Sequence, residues 1–358
     1  MFLRTTLALL VLLQGAPLHG APLAPQQRSS WPPPRASVSE ALADCMVEAP
    51  EELFLVERVV DGDTIWIQRN GEREKLRLLS VDTEEKYMGG KDISASKPST
   101  RFAEQSTGWA TGFFLPRSPA EGPARVGLRF PGGKEARDVY GRLLCHVVTK
   151  EGVDFNLLLV RMGHSPYFNK YGNSRLDHAR FIAAQEKAMA EKLGIWDART
   201  NEGGKRRDYP RLMAWWSARA KAIDDFRAKA DAAPTRFVAC DDPDGLQAAL
   251  EAGGEDVTVL ASVDRFFDED DGSWTILLRS GDRKRAVRIG VPAQGRAAMA
   301  RLDLEGSKGE FRQNYLLVTG KLVRGPRGFR LEGVGASDWR AAGPEPAAME
   351  PPSTGGGR

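Results

Sequence analysis

The stretch VVDGDTIWIQRNGEREKLRLLSVDTEE occupies residues 59–85 and predicts a β-hairpin followed closely by a cluster of acids. Ile65 and Ile67 point to one face of a strand, which is typical of a sheet with one buried side. Asn70–Gly71 predicts the hairpin turn because both residues tolerate a positive φ. With the apolar run LFLVERVV in front of it, the stretch predicts a three-stranded meander over residues 53–82.

The residues that follow predict two more strands, ARVGLRF and RLLCHVVT, and three helices. The first helix, within STRFAEQSTGWATGFFL, would be capped by Ser99 or Thr100. A short helix would end at Gly163, and a longer one at Gly194. The longer helix is expected to bury a stripe that includes Ile182, Met189 and Leu193. Five strands combined with helices predict an α+β fold, a small OB-fold β-barrel.

The predicted hairpin brings distant charges together. Antiparallel pairing around the Asn70–Gly71 turn places Asp63 close to Arg77 on the opposite strand. Asp82, Thr83 and Glu85 follow where the third strand ends, on the same side. Asp61 alone would be a turn residue. We therefore expect one cluster of acids with an arginine facing it.

This combination of residue types has a chemical meaning. Clustered carboxylates repel one another, and a hard divalent cation with oxygen ligands offsets that repulsion. An arginine is not needed to bind such a cation, but its planar fork suits a phosphate. A metal, an arginine and a further carboxylate are the parts needed to hydrolyse a phosphodiester.

The motifs VVDGDTIWI, LRLLSVDTEE, DVYGRLL, LVRMGHSPY and AQEKAMAEKLGIW, in this order, resemble the staphylococcal nuclease (thermonuclease) family over about residues 53–197. The resemblance implies that Asp63, Asp82 and the carbonyl of Thr83 bind Ca²⁺. It implies that Glu85 acts on the attacking water. It also implies that Arg77 and Arg142 contact the phosphate.

The chain departs from the family pattern at several places. The family motif is usually Val-Asp-Thr-Pro-Glu, and Glu84 stands here in place of the proline. Val139 stands where a lysine often helps to bind phosphate. An extra loop, KYMGGKDISASKPST, follows the acids. Three aromatic residues are expected to contact the nucleotide: Tyr140, Tyr167 and Tyr171. For Tyr167 and Tyr171, packing in the core is an equal alternative.

The chain has 358 residues and a formal net charge of +3, so its bulk charge does not indicate a nucleic-acid partner. Residues 1–20 resemble a secretory signal peptide, with Arg4 ahead of the short apolar run Leu7–Leu13; an uncleaved anchor is the alternative. Residues 21–50, rich in proline at first, predict a linker or N-terminal extension. We therefore expect a secreted or periplasmic protein with no membrane contact after signal cleavage.

The three cysteines, Cys45, Cys145 and Cys240, exclude a disulfide-stapled fold and leave a single bridge open. The sequence has no CxxC or HExxH motif, which argues against a zinc site.

Beyond the nuclease-like domain at 51–200, the pattern predicts a basic amphipathic connector helix at 201–234 and an OB-like β-barrel domain at 235–340. The tail at 341–358 is expected to be disordered. The connector could dock on a domain or contact DNA. The C-terminal domain weakly resembles nucleic-acid-binding OB domains, and a protein-binding or structural role is also open.

The residues and the resemblance together lead to one functional expectation. The chain would be an exported Ca²⁺-dependent nuclease that cleaves DNA and RNA and leaves 3′-phosphate ends, with no obligate protein partner evident. The alternative is a non-catalytic nucleic-acid-binding scaffold built on a nuclease-like barrel.

Overall fold

A computed structural model describes residues 35–86, 97–115, 122–138, 140–278, 286–298, 302 and 315–344. The expected signal peptide, the start of the linker, Val139 and nearly all of the tail lie outside these residues. The chain divides into two compact units. The first runs to Phe168 and continues over Ser174–Tyr209, and the second comprises Asn169–Asn173 and the residues from Pro210 onward.

The first unit contains a closed five-stranded barrel with the strand order β1-β2-β3-β5-β4. Its strands are β1 (Phe54–Asp61), β2 (Thr64–Arg69), β3 (Glu72–Leu78), β4 (Arg125–Arg129) and β5 (Leu143–Thr149). β3 and β5 pair in parallel, and all other neighbours pair antiparallel. This confirms the predicted OB-fold.

The hairpin turn is formed as its sequence predicts. Asn70 and Gly71 have φ values of 54° and 82°, a region that few other residues occupy without strain. The turn sets the register in which Ile65 pairs with Leu76 and Ile67 with Glu74. Both isoleucines are fully buried in the barrel core. The register therefore follows from the turn and from which face is apolar.

Among the described residues, four α-helices accompany this barrel: α1 (Arg35–Asp44), α2 (Arg101–Phe114), α3 (Phe155–Arg161) and α4 (His178–Ala190). Thr100 caps α2, accepting a hydrogen bond from the amide of Ala103, and Asp154 caps α3 in the same way. The stripe predicted for α4 was wrong. Ile182 and Met189 are exposed, because the helix buries its other face, formed by Phe181, Ala184 and Ala188.

Residues 35–44 of the segment predicted as a linker or N-terminal extension form helix α1. Helix α1 places Val38, Ala41 and Leu42 in the same core as the barrel strands. Asp44, at its end, accepts hydrogen bonds from Arg161 of α3 and Lys187 of α4. The segment therefore belongs to the first unit.

The second unit contains α5 (Tyr209–Ala232, apart from its first residue) and a second barrel. The further elements of this unit are β6 (Phe237–Ala239), α6 (Pro243–Glu251), β7 (Val257–Asp268), β8 (Trp274–Leu278), β9 (Val287–Val291), α7 (Ala293–Ala298), β10 (Tyr315–Arg324), β11 (Phe329–Glu332) and β12 (Trp339–Ala341). The ring β7-β8-β9-β11-β10 is closed by pairing of β10 with β7, and β9 pairs with β11 in parallel. This is the strand order of the first barrel, which confirms a second OB-like domain.

The predicted connector, 201–234, is divided between the two units. Residues 201–209 belong to the first unit, and the chain passes to the second at Pro210. The connector was predicted to be amphipathic, and α5 buries an apolar stripe formed by Leu212, Trp215, Ile223 and Phe226. The three cysteines are free and buried, and burial raises the pKa of the Cys240 thiol to about 12. No helix among the described residues has the length and apolar character needed to cross a membrane.

Candidate active site

The two aspartates at the turn from β1 to β2, Asp61 and Asp63, have different structural roles. The Asp61 carboxylate accepts a hydrogen bond from the amide of Asp63, at 3.1 Å, and so closes the turn. Burial and the charge of Asp63 raise the pKa of Asp61 to about 7. Gly62 is needed here, because a Cβ at this position would lie 2.6 Å from the Thr83 side chain. The turn therefore directs Asp63 toward the loop after β3.

Asp63 and Asp82 are joined through Arg77. The Arg77 guanidinium forms an ion pair with Asp63 Oδ1, and its Nη2 lies 3.1 Å from Asp82 Oδ1. The other oxygen of Asp63 accepts a hydrogen bond from the amide of Thr83, at 2.9 Å. Asp63, Asp82 and Thr83 are all buried. The hairpin and the loop after β3 thus form a single cluster.

Lys97, from the loop after the acids, is a member of this cluster that the sequence did not indicate. Its ammonium lies 2.8 Å from Asp82 Oδ1 and 3.0 Å from Glu85 Oε1. Asp82 and Glu85 thereby share one cation. The Glu85 side chain is 29% exposed, against 2% for Asp82, so Glu85 is the carboxylate that solvent reaches.

Arg207 is a second unpredicted member. Its Nη2 lies 2.9 Å from Asp82 Oδ2, and both side chains are buried. Burial by itself would raise the pKa of Asp82, but Lys97, Arg207 and Arg77 hold it below its usual range. The pKa of Asp63 is also lowered, because Arg77 outweighs the effect of burial. Both aspartates are therefore ionised at neutral pH.

Glu84 is buried and forms the centre of a small hydrogen-bonded group. Its carboxylate accepts hydrogen bonds from the hydroxyl of Thr100, from Asn201 Nδ2 at 2.8 Å and from the Tyr209 hydroxyl at 3.0 Å. We call these four residues the Glu84 clamp. Thr100 is the cap of α2, so the clamp ties the loop of Thr83 and Glu85 to α2 and to the segment before α5.

Arg142 lies outside the cluster of acids but on the same face of the barrel sheet as Arg77. It immediately precedes β5 and lies two residues before Leu144, the register partner of Arg77. Because alternate residues of a strand share a face, Arg142 and Arg77 lie on one face. Arg142 Nε donates to Asp138 Oδ2 at 2.7 Å, and its guanidinium carbon is 5.5 Å from the centre of the Tyr140 ring. Tyr140 is 80% exposed and is available for stacking.

Comparison with known proteins identifies the first unit. The family model for staphylococcal nuclease homologues matches residues 75–198. The thermonuclease of Staphylococcus intermedius is 32% identical over 148 residues, which are 41% of this chain and 77% of that protein. This chain belongs to the staphylococcal nuclease family. The thermonuclease of Staphylococcus hyicus is 30% identical over 41% of the chain and 78% of its own length.

A third relative of this staphylococcal nuclease-family chain is the endonuclease YhcR of Bacillus subtilis (strain 168). It is 33% identical over 145 residues, and the match spans 40% of this chain but 11% of the relative. The match therefore covers only a small part of that longer protein. In this chain, the matched region is a hydrolytic nuclease domain of the staphylococcal nuclease family.

The other two aromatic residues predicted to contact a nucleotide, Tyr167 and Tyr171, belong to different units. Tyr167 is 4% exposed and packs its ring flat against Phe181, at 5.0 Å between centres. Its hydroxyl lies 2.8 Å from His178 Nδ1, so its ring serves the core and offers no face for stacking. Tyr171 belongs to the second unit, where its ring lies 5.9 Å from that of Tyr315.

The donor set of the family's metal site fits a hard divalent cation. Asp63, Asp82 and the Thr83 carbonyl offer oxygen ligands, and both carboxylates are held ionised by neighbouring cations. Among the described residues there is a second group of possible ligands, formed by His146, Asp154 and Asp177, whose ligand atoms lie within 4.8 Å of one another.

That second group is already engaged by other side chains. Arg129 Nη1 lies 3.2 Å from Asp154 and 2.9 Å from Asp177, while His146 Nδ1 lies 2.8 Å from Asp154. Asp154 also caps α3. We interpret this group as an ion-pair network that fixes α3 against β4 and β5.

Proposed function

We propose that this chain is an exported, calcium-dependent nuclease that hydrolyses phosphodiester bonds of DNA and RNA. One observation carries the proposal: Asp63 and Asp82 are buried, ionised and joined by Arg77, with the more exposed Glu85 beside them. This arrangement has a place for a cation, a place for a phosphate and a carboxylate that water can reach.

The residues would divide the chemistry as follows. Asp63, Asp82 and the Thr83 carbonyl would hold Ca²⁺, which supplies Lewis-acid stabilisation of the charge that develops on phosphate. Glu85 orients a water molecule and accepts its proton. Arg77 and Arg142 neutralise the equatorial oxygens of the phosphate in the transition state. Tyr140 stacks on a base or sugar next to Arg142.

Export and product type are parts of the same proposal. The signal-like residues 1–20 support export to the periplasm or medium. The family resemblance supports cleavage at the 5′-oxygen, which leaves 3′-phosphate ends. Products that a template-independent polymerase extends only after phosphatase treatment would agree with this polarity, and directly extendable products would contradict it.

The hydrolysis is tested with single-stranded DNA and RNA, with Ca²⁺ and with a chelator. We expect cleavage that needs Ca²⁺ and that falls about a hundredfold or more in Glu85→Gln, because the amide cannot take the proton. Glu74→Gln is a matched control, since Glu74 is on β3 but pairs with Arg137. Cleavage that persists in chelator, or that is unchanged in Glu85→Gln, would contradict the proposed mechanism.

Lys97 should compete with the cation. Binding of Ca²⁺ requires the ammonium to leave Asp82 and Glu85, so Lys97→Met should bind Ca²⁺ about tenfold more tightly. Isothermal titration calorimetry measures this without any turnover. Lys86→Met is the control, because Lys86 donates to the Val60 carbonyl and contacts neither acid in the structure. Equal affinities in the wild type and Lys97→Met would contradict the competition.

The Lys97 contact also favours a second candidate, a non-catalytic nucleic-acid-binding scaffold. A lysine held between Asp82 and Glu85 could replace the metal permanently and keep the groove without chemistry. Retention of DNA in a gel shift, with no cleavage under any divalent ion, would support the scaffold over the nuclease.

A further inference from the structure

The second barrel carries a line of arginines across its outer face. Arg265 of β7, Arg288 of β9 and Arg330 of β11 are in register, with Leu277 of β8 between the first two. We call these three the arginine row. Arg265 is 57% exposed and Arg330 is 48% exposed. The row spans four strands that lie about 4.8 Å apart, and the buried Leu277 separates Arg265 from the adjacent pair Arg288 and Arg330.

The charge of this row is poorly compensated. Arg288 and Arg330 are direct neighbours on parallel strands, an arrangement that destabilises a sheet. The carboxylates paired with the row are distant: Asp264 is 3.9 Å from Arg265, and Glu332 is 3.9 Å from Arg330. Arg288 donates to the carbonyl of Arg327, in the β10–β11 loop, which adds a further exposed guanidinium. The surface is therefore suited to an anion.

An exposed aromatic ring, that of Phe267, lies beside the arginine row, next to a strip of sheet surface formed by Thr275 and Gly290. Phe267 is two residues from Arg265 on the same face of β7 and is 44% exposed. Its register partner is Thr275, which in turn pairs with Gly290. A Cβ at Gly290 would meet nothing within 4 Å, and its backbone does not have a positive φ. Neither packing nor backbone strain requires glycine there, and its absence of a side chain keeps the strip flat.

We propose that this face of the second barrel binds single-stranded nucleic acid. Successive phosphates lie on the arginine row, and an unpaired base stacks on Phe267 above the strip of Thr275 and Gly290. Stacking on a side chain needs a base with an accessible face, so the single strand is favoured over the duplex. This binding goes beyond the proposed hydrolysis, because it needs neither the metal site nor a cleavable bond.

The test is fluorescence anisotropy of the full chain with a labelled single-stranded oligonucleotide of about twenty nucleotides, enough to cover one OB barrel, in chelator so that nothing is cleaved. Arg288→Gln/Arg330→Gln should weaken binding about tenfold and lower the slope of log K against log salt by about 1.4, for two lost phosphate contacts. Phe267→Ala should weaken binding about fivefold or more. Arg340→Gln, an exposed arginine on β12 outside the row, is the matched control and should change neither quantity.

Three results would overturn the proposal. One is an unchanged affinity and salt slope in the double arginine variant. Another is an equal loss of affinity in Arg340→Gln, which would show that the effect comes from the net charge of the protein and not from the arginine row. The third is dependence on the arginines but not on Phe267, together with competition by polyglutamate, which would assign the face to an acidic protein. Failure of cleavage in the hydrolysis assay would leave the binding result standing, because the two readouts are separate.

Discussion

Replacement of Arg77 by alanine should lower kcat for phosphodiester cleavage about a thousandfold, in the range known for loss of one transition-state donor. Arg77 contacts both Asp63 and Asp82 in the structure, whereas Arg207 forms an ion pair with Asp82. The Arg77 side chain is 17% exposed, so the charge it presents to a phosphate is only weakly screened. The loss should appear in kcat more than in KM, because the contact strengthens as negative charge develops.

Arg77→Lys separates charge from geometry. The ammonium keeps the charge but is a single point, whereas the guanidinium fork contacts two partners at once. We therefore expect Arg77→Lys to recover less than a tenth of the lost activity. Arg137→Ala is the matched control, because Arg137 belongs to the same unit but pairs with Glu74 at 46% exposure. Activity of Arg77→Ala within tenfold of the wild type would contradict this role.

Calcium binding distinguishes this loss from damage to the metal site. Removal of Arg77 leaves Asp63 and Asp82 with one positive neighbour fewer, so Ca²⁺ should bind at least as tightly as in the wild type. Calorimetry on Arg77→Ala measures this directly. Weaker Ca²⁺ binding in that variant would mean that Arg77 chiefly holds the aspartates in place.

The part of the site that sequence could predict is the part made by one hairpin. Asp63, Arg77 and Asp82 are brought together by local pairing around Asn70–Gly71, and the turn residues specify that pairing. The missed contacts come from elsewhere in the chain. Arg207 lies 125 residues from Asp82, and no spacing rule links two positions that far apart.

The buried face of α4 was predicted wrongly for a related reason. In α4 the buried face consists mainly of alanines around Phe181, while the larger Ile182 and Met189 lie outside. A pattern that ranks residues by hydrophobicity therefore selects the wrong phase of the helix. The prediction that Tyr167 contacts a nucleotide has a different difficulty. An aromatic residue suits both a core and a base-stacking surface, and Tyr167 is buried because it packs against Phe181 of α4.

Glu84→Ala should be the most destabilising single change in the active-site loop, at about 3 kcal/mol in the free energy of unfolding. The substitution leaves Thr100, Asn201 and Tyr209 without their shared acceptor at a site where Glu84 itself is 4% exposed. For a unit of this size the transition should fall by about 8 °C in differential scanning calorimetry. Activity should fall as well, because Thr83 and Glu85 flank the lost anchor.

Glu84→Gln is the matched control for this change. Its amide oxygen can still accept from Thr100 and Asn201, and the Tyr209 hydroxyl can rotate to accept from the amide nitrogen. We expect it to lose much less stability than Glu84→Ala, whereas Tyr209→Phe should cost about 1 kcal/mol for one hydrogen bond. In a double-mutant cycle, Tyr209→Phe should cost little once Glu84 is alanine. Independent, additive effects would contradict the clamp.

The clamp gives a physical reason for the departure from the family's proline. A proline stiffens the loop by restricting its backbone, whereas Glu84 fixes the same loop through three hydrogen bonds. The hydrogen bonds of Glu84 depend in part on residues 201–209, which lie beyond the region 75–198 that matches the family model. Glu84→Pro should therefore restore the family residue yet lose stability here, because Asn201 and Tyr209 would keep no acceptor. Full stability of Glu84→Pro would mean that the loop needs rigidity alone.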